Sequence, residues 1–243
     1  MLIVSNSCVI HERPLKKPCW QSVKAGSMCS SGAVLMMPSI ILHVNKMAEA
    51  DSPETSTGSK EGSNKVGFGM RAAIKMIRVK FPKAKDINTD TLDSWLNSKE
   101  PAQNDIILMD CRDEGEYCVS HLQGAQRIDW ENADPQHIID SLPKDQSSTV
   151  VAYCSIGYRS AALVEKLQKH MAKSDKGPTQ KCKVYNLEGS LFKWANEGRA
   201  MVNPSGAPTK VCHPYNTVWG KMLNKPLWSY GDPSKANSSP DCV

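Results

Sequence analysis

The stretch VVAYCSIGYRSAALVEKLQ, residues 150–168, decides how the chain should fold. An apolar, β-branched run over residues 149–154 predicts a buried strand, and apolar residues at helical spacing predict a helix over about residues 160–170. Cys154 stands where the strand ends and a loop begins. Because ligands bind beyond the carboxyl ends of strands in parallel sheets, the sequence predicts a site at Cys154.

The segments around this stretch also alternate between strand and helix patterns. Four more strands are predicted, over residues 86–88, 105–110, 124–128 and 183–187. Two further helices are predicted, one capped by Thr89 or Asp90 and one ended by Gly198. Such alternation favours an α/β domain with a mainly parallel sheet flanked by helices.

The loop after Cys154 has the residues that stabilise a thiolate. A glycine such as Gly157 permits backbone conformations in which amide N–H groups converge on one atom. The following helix directs its positive end toward the loop, and Arg159 adds a permanent positive charge. These features predict a thiol pKa below that of free cysteine and a binding site for an anion. The alternative is a buried, inert cysteine that closes the strand.

Composition and charge indicate which kind of ligand the protein binds and in which kind of compartment it resides. The nine cysteines are odd in number and form no Cys-x-x-Cys pair, so we expect neither a disulfide framework nor a zinc site, but a reducing, intracellular compartment. The formal charge of +5 comes from scattered lysines and arginines. This distribution favours a small anionic substrate and excludes a concentrated nucleic-acid surface.

The N-terminal part of the chain is predicted to be a disordered extension over residues 1–68. Residues 1–46 are rich in serine and poor in acids, which is also typical of a transit peptide. We therefore expect a cytoplasmic protein, with a mitochondrial one as the alternative if residues 1–46 are a targeting segment. The apolar stretch of residues 33–44 is too short to span a bilayer.

The regions flanking the α/β domain differ in composition. Residues 69–86 predict an amphipathic helix and linker, with Ala73, Ile74, Ile77 and Phe81 on its apolar face. Residues 201–243 have too few apolar side chains for a second core. We expect a tail docked through its aromatic residues, with disorder from about residue 233; a partner-binding arm is the alternative.

Three segments in order resemble a single rhodanese domain, with bounds at about residues 87–200: LMDCRDEGEYCVSHLQGAQRI, VVAYCSIGYRSAAL and VYNLEGSLFKWANEG. The resemblance implies a five-stranded parallel sheet flanked by helices and no metal or organic cofactor. It also implies that Cys154 is the nucleophile that accepts sulfane sulfur. The anion would then be bound by the loop residues Ser155, Ile156, Gly157, Tyr158, Arg159 and Ser160.

The accessory residues have two interpretations. Asp110 and Arg112 follow a predicted strand and could bind the anionic donor, or they could form a structural ion pair. His121 and Glu116 are interpreted as structural. Cys111 replaces an aliphatic residue of the family pattern; it should point into the core, with a resolving thiol beside Cys154 as the alternative.

The resemblance implies a sulfurtransferase. It would move sulfane sulfur from thiosulfate or a persulfide, through a Cys154 persulfide, to cyanide, a small thiol or a protein thiol. One alternative is a binding module with little turnover. A second is a small phosphatase, but the related phosphatases have five residues between the cysteine and the arginine, whereas this loop has four and fits a sulfur atom.

Overall fold

The computed structural model describes residues 66–98, 105–143, 148–173 and 182–231. Most of the extension predicted for residues 1–68, including the targeting segment of residues 1–46, lies outside the described residues, and so does the disorder predicted from residue 233. Among the helices in these ranges, none has both the length and the hydropathy of a membrane span.

A five-stranded parallel sheet forms the centre of the domain. Its strands are β1 (Asp86–Ile87), β2 (Asp105–Asp110), β3 (Gln126–Arg127), β4 (Ser148–Tyr153) and β5 (Lys183–Leu187). Their spatial order is β1-β5-β4-β2-β3, so β4 is the central strand. This topology confirms the predicted fold class and puts Cys154, the residue after β4, at the carboxyl edge of the sheet.

Six α-helices occur in the described part of the chain. They are α1 (Phe68–Lys80), α2 (Thr89–Asn97), α3 (Glu114–Val119), α4 (Pro135–Ser141), α5 (Tyr158–Lys173) and α6 (Ser190–Asn196). Helix α5 begins two residues before the predicted start at Ser160. The predicted cap of α2 is wrong: Asn88 caps it, and its side chain accepts the Thr91 N–H at 2.7 Å.

Two of these helices, α3 and α4, were not predicted. Both are short and both begin with a capping aspartate: α3 has a capping box of Asp113 and Glu116, and α4 has Asp134 followed by Pro135 at its first position. Because each has few apolar residues, their periodicity is weak, and the caps are the main local signal.

Apolar side chains cover both faces of the sheet. Along β4, Val151 and Tyr153 pack with α1, α2 and α6 on one face, whereas Val150 and Ala152 pack with α4 and α5 on the other. All four side chains are fully buried, at 0% exposed. Alternate residues of a strand point to opposite faces, so a strand covered on both faces has the continuous apolar sequence seen here.

The two segments that flank the sheet contribute to its core. Helix α1 turns Met70, Ala73, Ile74 and Ile77 inward, as predicted for the last three. After α6 the chain forms a short antiparallel ribbon of β6 (Met201–Val202) and β7 (Pro208–Thr209), then 3-10 helices Trp219–Met222 and Lys225–Leu227. Trp219 is buried in the same cluster as α1, so the tail is packed more deeply than the sequence predicts.

Candidate active site

The loop between β4 and α5 holds the Cys154 sulfur from one side with backbone amide groups. The Gly157 N–H donates a hydrogen bond to Sγ at 3.1 Å. This geometry needs a φ of +106° at Gly157, a region that residues with a Cβ rarely adopt. Glycine is therefore required at this position because only its backbone conformation directs the amide N–H toward the sulfur.

The environment of Cys154 favours the thiolate. Burial alone would raise the pKa of this thiol, but the Arg159 charge and the Ser160 and Gly157 amides outweigh it. The pKa of Cys154 therefore lies below its ordinary value, in the direction that the sequence predicts. Cys182, without such donors, has its pKa raised to about 11 by burial.

Arg159 is held by a carboxylate that sequence reasoning did not assign to the site. Its guanidinium donates to both oxygens of Glu116, at 2.7 and 2.9 Å, and to Ser155 Oγ at 2.9 Å. Ser155 in turn donates to Glu116 at 2.6 Å. Glu116 is 3% exposed, and although burial opposes it, contact with Arg159 holds the pKa of this carboxyl below its usual range. The arginine is thus fixed in position before any substrate binds.

A second chain of polar groups supports the loop from β5. Ser160 donates to Asn186 Oδ1 at 2.7 Å, and Asn186 donates to Asp86 at 2.8 Å. Both Ser160 and Asn186 are buried. A hydroxyl has one proton, so the proton of Ser160 is directed to Asn186 in this arrangement while its amide contributes to the thiolate environment.

The start of α6 fixes the backbone of the loop. The Leu191 and Phe192 amides each donate at 3.0 Å, to the carbonyls of Cys154 and Ser155. Ser190 has a φ of +50°. Its hydroxyl accepts the Cys154 N–H at 3.1 Å and donates to the Leu187 carbonyl at 3.1 Å. The serine thus offers a hydrogen bond to the cysteine that glycine could not.

Asp110 and Arg112 do not line the cavity that borders Cys154. They form an ion pair at 2.6 Å with both side chains at 0% exposed, and Arg112 also donates to the carbonyls of Glu116 and Ser120. These contacts occupy both ends of the guanidinium. The structure therefore favours the structural ion pair over the substrate-binding role, because no face of either charge is open to a ligand.

The remaining candidates also have structural surroundings. His121 Nδ1 lies 3.0 Å from the Tyr117 carbonyl and its ring stacks on Tyr117, as its structural interpretation predicts. Cys111 is a buried free thiol whose pKa burial raises. Cys118 is disulfide-bonded, whereas the number and spacing of the cysteines led us to expect no disulfide framework. In the described part of the chain, no group of three or more His, Cys, Asp or Glu side chains could hold a metal ion.

A cavity of about 500 Å³ lies over the loop. Cys154 is only 1% exposed, but it borders this cavity, which is how a substrate would reach the sulfur. We call the loop residues 154–159 that line it the floor. We call the side chains of α1 and of the C-terminal segment that line it the walls; they include Ala72, Met76, Ile77, Val79, Tyr215 and Trp219.

The chain was compared with known protein families and curated proteins. Residues 89–197 match the family described as Rhodanese-like domain. A tRNA uridine(34) hydroxylase of Streptococcus pneumoniae is 29% identical over 147 residues, which cover 56% of this chain and 44% of that protein. A Mycobacterium tuberculosis protein named "Probable adenylyltransferase/sulfurtransferase MoeZ" is 30% identical over 115 residues, which cover 47% and 26%. The chain therefore spans less than half the length of these relatives.

Solved structures are also similar to part of this chain. A thiosulfate sulfurtransferase from Pseudomonas aeruginosa has 17% identity and a TM-score of 0.38, covering 51% of this chain and 20% of that one. A rhodanese-like domain protein from Staphylococcus aureus has 24% identity and a TM-score of 0.35, covering 47% and 94%. With the family match and the parallel sheet described above, residues 89–197 of this chain are a rhodanese-like domain.

Proposed function

We propose that this protein transfers sulfane sulfur through a persulfide formed on Cys154. The observation that carries the proposal is the Gly157 N–H donating to Cys154 Sγ at 3.1 Å, on the floor of a cavity. A sulfur held there as an anion is a nucleophile facing the space that a donor would occupy. One relative is named a sulfurtransferase, which supports the same chemistry.

The reaction has two balanced steps. The Cys154 thiolate attacks the outer sulfur of thiosulfate or of another persulfide, and an S–S bond forms as the donor's bond to that sulfur breaks. Sulfite or a thiolate leaves with the electron pair. An acceptor then attacks the outer sulfur of the persulfide: cyanide leaves as thiocyanate, and a small or protein thiol leaves as a persulfide. Cys154 returns as the thiolate.

The other site residues have supporting roles in this proposal. The amides of Gly157 and Ser160 stabilise the negative charge on the thiolate and on the persulfide. Ile156 and Tyr158 line the cavity beside the sulfur. Arg159 supplies positive charge while Glu116 and Ser155 hold its position, so these two act as positioning residues. In this proposal Asp110 and Arg112 form a structural ion pair at the end of β2.

The direct test is the intact mass of the full chain after incubation with thiosulfate and removal of excess donor. We expect one added sulfur atom on the wild type, lost on treatment with cyanide, and none on Cys154→Ser. Cys182→Ser is a matched control at a free thiol outside the site, and it should gain sulfur as the wild type does.

Two other outcomes would replace the proposal. If no sulfur is added but the protein hydrolyses an aryl phosphate and Cys154→Ser does not, the site is that of a phosphatase. If neither reaction occurs and a protein partner binds tightly, the domain is a binding module.

We propose the cytoplasm as the compartment, on sequence composition alone, with mitochondria as the alternative. Microscopy of a C-terminally tagged full chain, compared with a chain starting at Met47, tests this. A mitochondrial signal that depends on residues 1–46 would establish the alternative.

A further inference from the structure

The walls of the cavity lie outside the residues that match the rhodanese-like family. The match covers residues 89–197, which include the floor. Ala72, Met76 and Val79 belong to α1, and Tyr215 and Trp219 belong to the C-terminal segment. Two segments from opposite ends of the domain therefore line the space over Cys154, and the family match includes neither of them.

The cavity is larger than a small inorganic donor requires. Thiosulfate has five heavy atoms and, at about 30 Å³ for each as for a water molecule, needs on the order of 150 Å³. The cavity of about 500 Å³ leaves most of its volume beyond such an ion. A volume of this size is typical of sites for organic ligands, which are lined mainly by apolar side chains.

The charges near the floor also disfavour a bare dianion. Both ends of the Arg159 guanidinium are engaged by Glu116, and Asp113 lies 3.5 Å from it. Lys75 and Lys80 line the cavity from α1 but are exposed, where interactions of charges with a ligand are screened by solvent. The polar groups nearest the sulfur therefore suit one negative charge, and the walls suit an uncharged body.

We propose that the cavity binds an organic sulfur donor in preference to thiosulfate: a sulfane-sulfur anion on an apolar or aromatic body, such as an alkane- or arenethiosulfonate. This inference rests on the proposed sulfur transfer. The Cys154 thiolate attacks the outer sulfur of R–SO₂–S⁻ and an S–S bond forms. The donor's S–S bond breaks, and the sulfinate R–SO₂⁻ leaves with the electron pair. The walls determine specificity by covering the group R.

The first test compares donors on the wild-type full chain with cyanide as acceptor, measuring thiocyanate. Methane-, ethane- and propanethiosulfonate share one leaving-group chemistry and differ only in apolar length. We expect KM to fall by up to about fourfold for each added methylene that becomes buried. Benzenethiosulfonate should exceed thiosulfate at least tenfold in kcat/KM, after each rate is divided by the rate of the same donor with a free thiol. Equal KM values across the series would overturn the inference.

The second test fills the cavity from one wall. Ala72 is half-buried and lines the cavity; Ala72→Phe should raise KM for benzenethiosulfonate at least fivefold and change the thiosulfate KM less than twofold. Ala172→Phe, the same substitution at an exposed position of α5, should change neither. An equal loss with both donors would contradict a role of the wall in specificity. If Ala72→Phe does not fold, the wild-type series still decides.

The two proposals fail differently. If neither thiosulfate nor any thiosulfonate adds sulfur to Cys154, sulfur transfer itself is wrong. If thiosulfate adds sulfur but the series is flat, sulfur transfer stands and only the organic donor is excluded.

Discussion

The floor and the walls of the Cys154 cavity differ in the polarity of the groups that form them. The floor is a loop whose polar groups are buried and hydrogen-bonded to Glu116, Asn186 and the start of α6. The walls are mainly apolar side chains from α1 and the C-terminal segment. The floor lies within the family match and the walls lie outside it. We therefore expect substitutions in the floor to change the reactivity of the sulfur, and substitutions in the walls to change the choice of donor.

The largest effect should come from Arg159→Met, which removes the charge that favours the thiolate. The pKa of Cys154 should rise, and the rate of persulfide formation at pH 7 should fall at least tenfold, since each pKa unit changes the thiolate fraction about tenfold. Glu116 would also remain buried without its partner, which destabilises the fold by about 3–5 kcal/mol. Iodoacetamide kinetics and urea unfolding measure the two effects.

The double variant Arg159→Met, Glu116→Gln separates these effects. It removes the unpaired carboxylate, so stability should recover in part while the thiol pKa stays high. If the double variant alkylates as fast as the wild type at pH 7, Arg159 is not the source of the lowered pKa.

Gly157→Ala tests the backbone of the floor. A Cβ at Gly157 would meet no atom closer than 3.6 Å, so the expected cost comes from the φ of +106° and is about 1–3 kcal/mol. If the loop relaxes instead, the amide turns away from the sulfur and persulfide formation should slow about tenfold. Gly115→Ala is the control, because a Cβ there meets nothing within 4 Å and its φ is not positive. Unchanged stability and rate in Gly157→Ala would contradict the amide's role.

The next largest effect is expected in the pH dependence of Cys154 alkylation. A lowered pKa means that the rate should reach half its plateau below about pH 8.5, the value for free cysteine. The folded state releases the proton at lower pH than the unfolded state. This contribution to the free energy of unfolding is therefore complete above about pH 8.5 and is lost as pH falls through the folded pKa. Cys154→Ser should lack it, and a midpoint at or above 8.5 would overturn the thiolate assignment.

Local sequence patterns predicted the sheet and the loop but not the groups around them. Cys154 directly follows β4. The continuous apolar run of β4 and the glycine after Cys154 were therefore enough to predict the strand and the loop. Glu116 is 43 residues from Arg159, and no local pattern links them. The spacing of Asp113 and Glu116 as a capping box was the available signal: it predicts α3, although not the partner of its glutamate.

The walls were the least predictable part, for a physical reason. The apolar spacing of α1 predicted which side chains turn inward, and Ala73, Ile74 and Ile77 do so. The same pattern cannot state which element they meet. The C-terminal segment has few apolar residues, yet Trp219 is 5% exposed and shares a cluster with α1. Cys212 and Leu223 are buried in the same cluster, so a few apolar side chains anchor what composition alone describes as a tail.

The smallest effect should come from Ser190, where the floor meets α6, and two substitutions there separate backbone strain from hydrogen bonding. Ser190→Ala keeps the unfavourable φ of +50° and leaves the buried Cys154 N–H without its acceptor, which should cost about 1–3 kcal/mol. Ser190→Gly loses the same bond but adopts this φ freely, so it should be more stable than Ser190→Ala by about 1 kcal/mol. Urea unfolding measures the difference. If the alanine variant is as stable as the wild type, the hydroxyl does not hold Cys154.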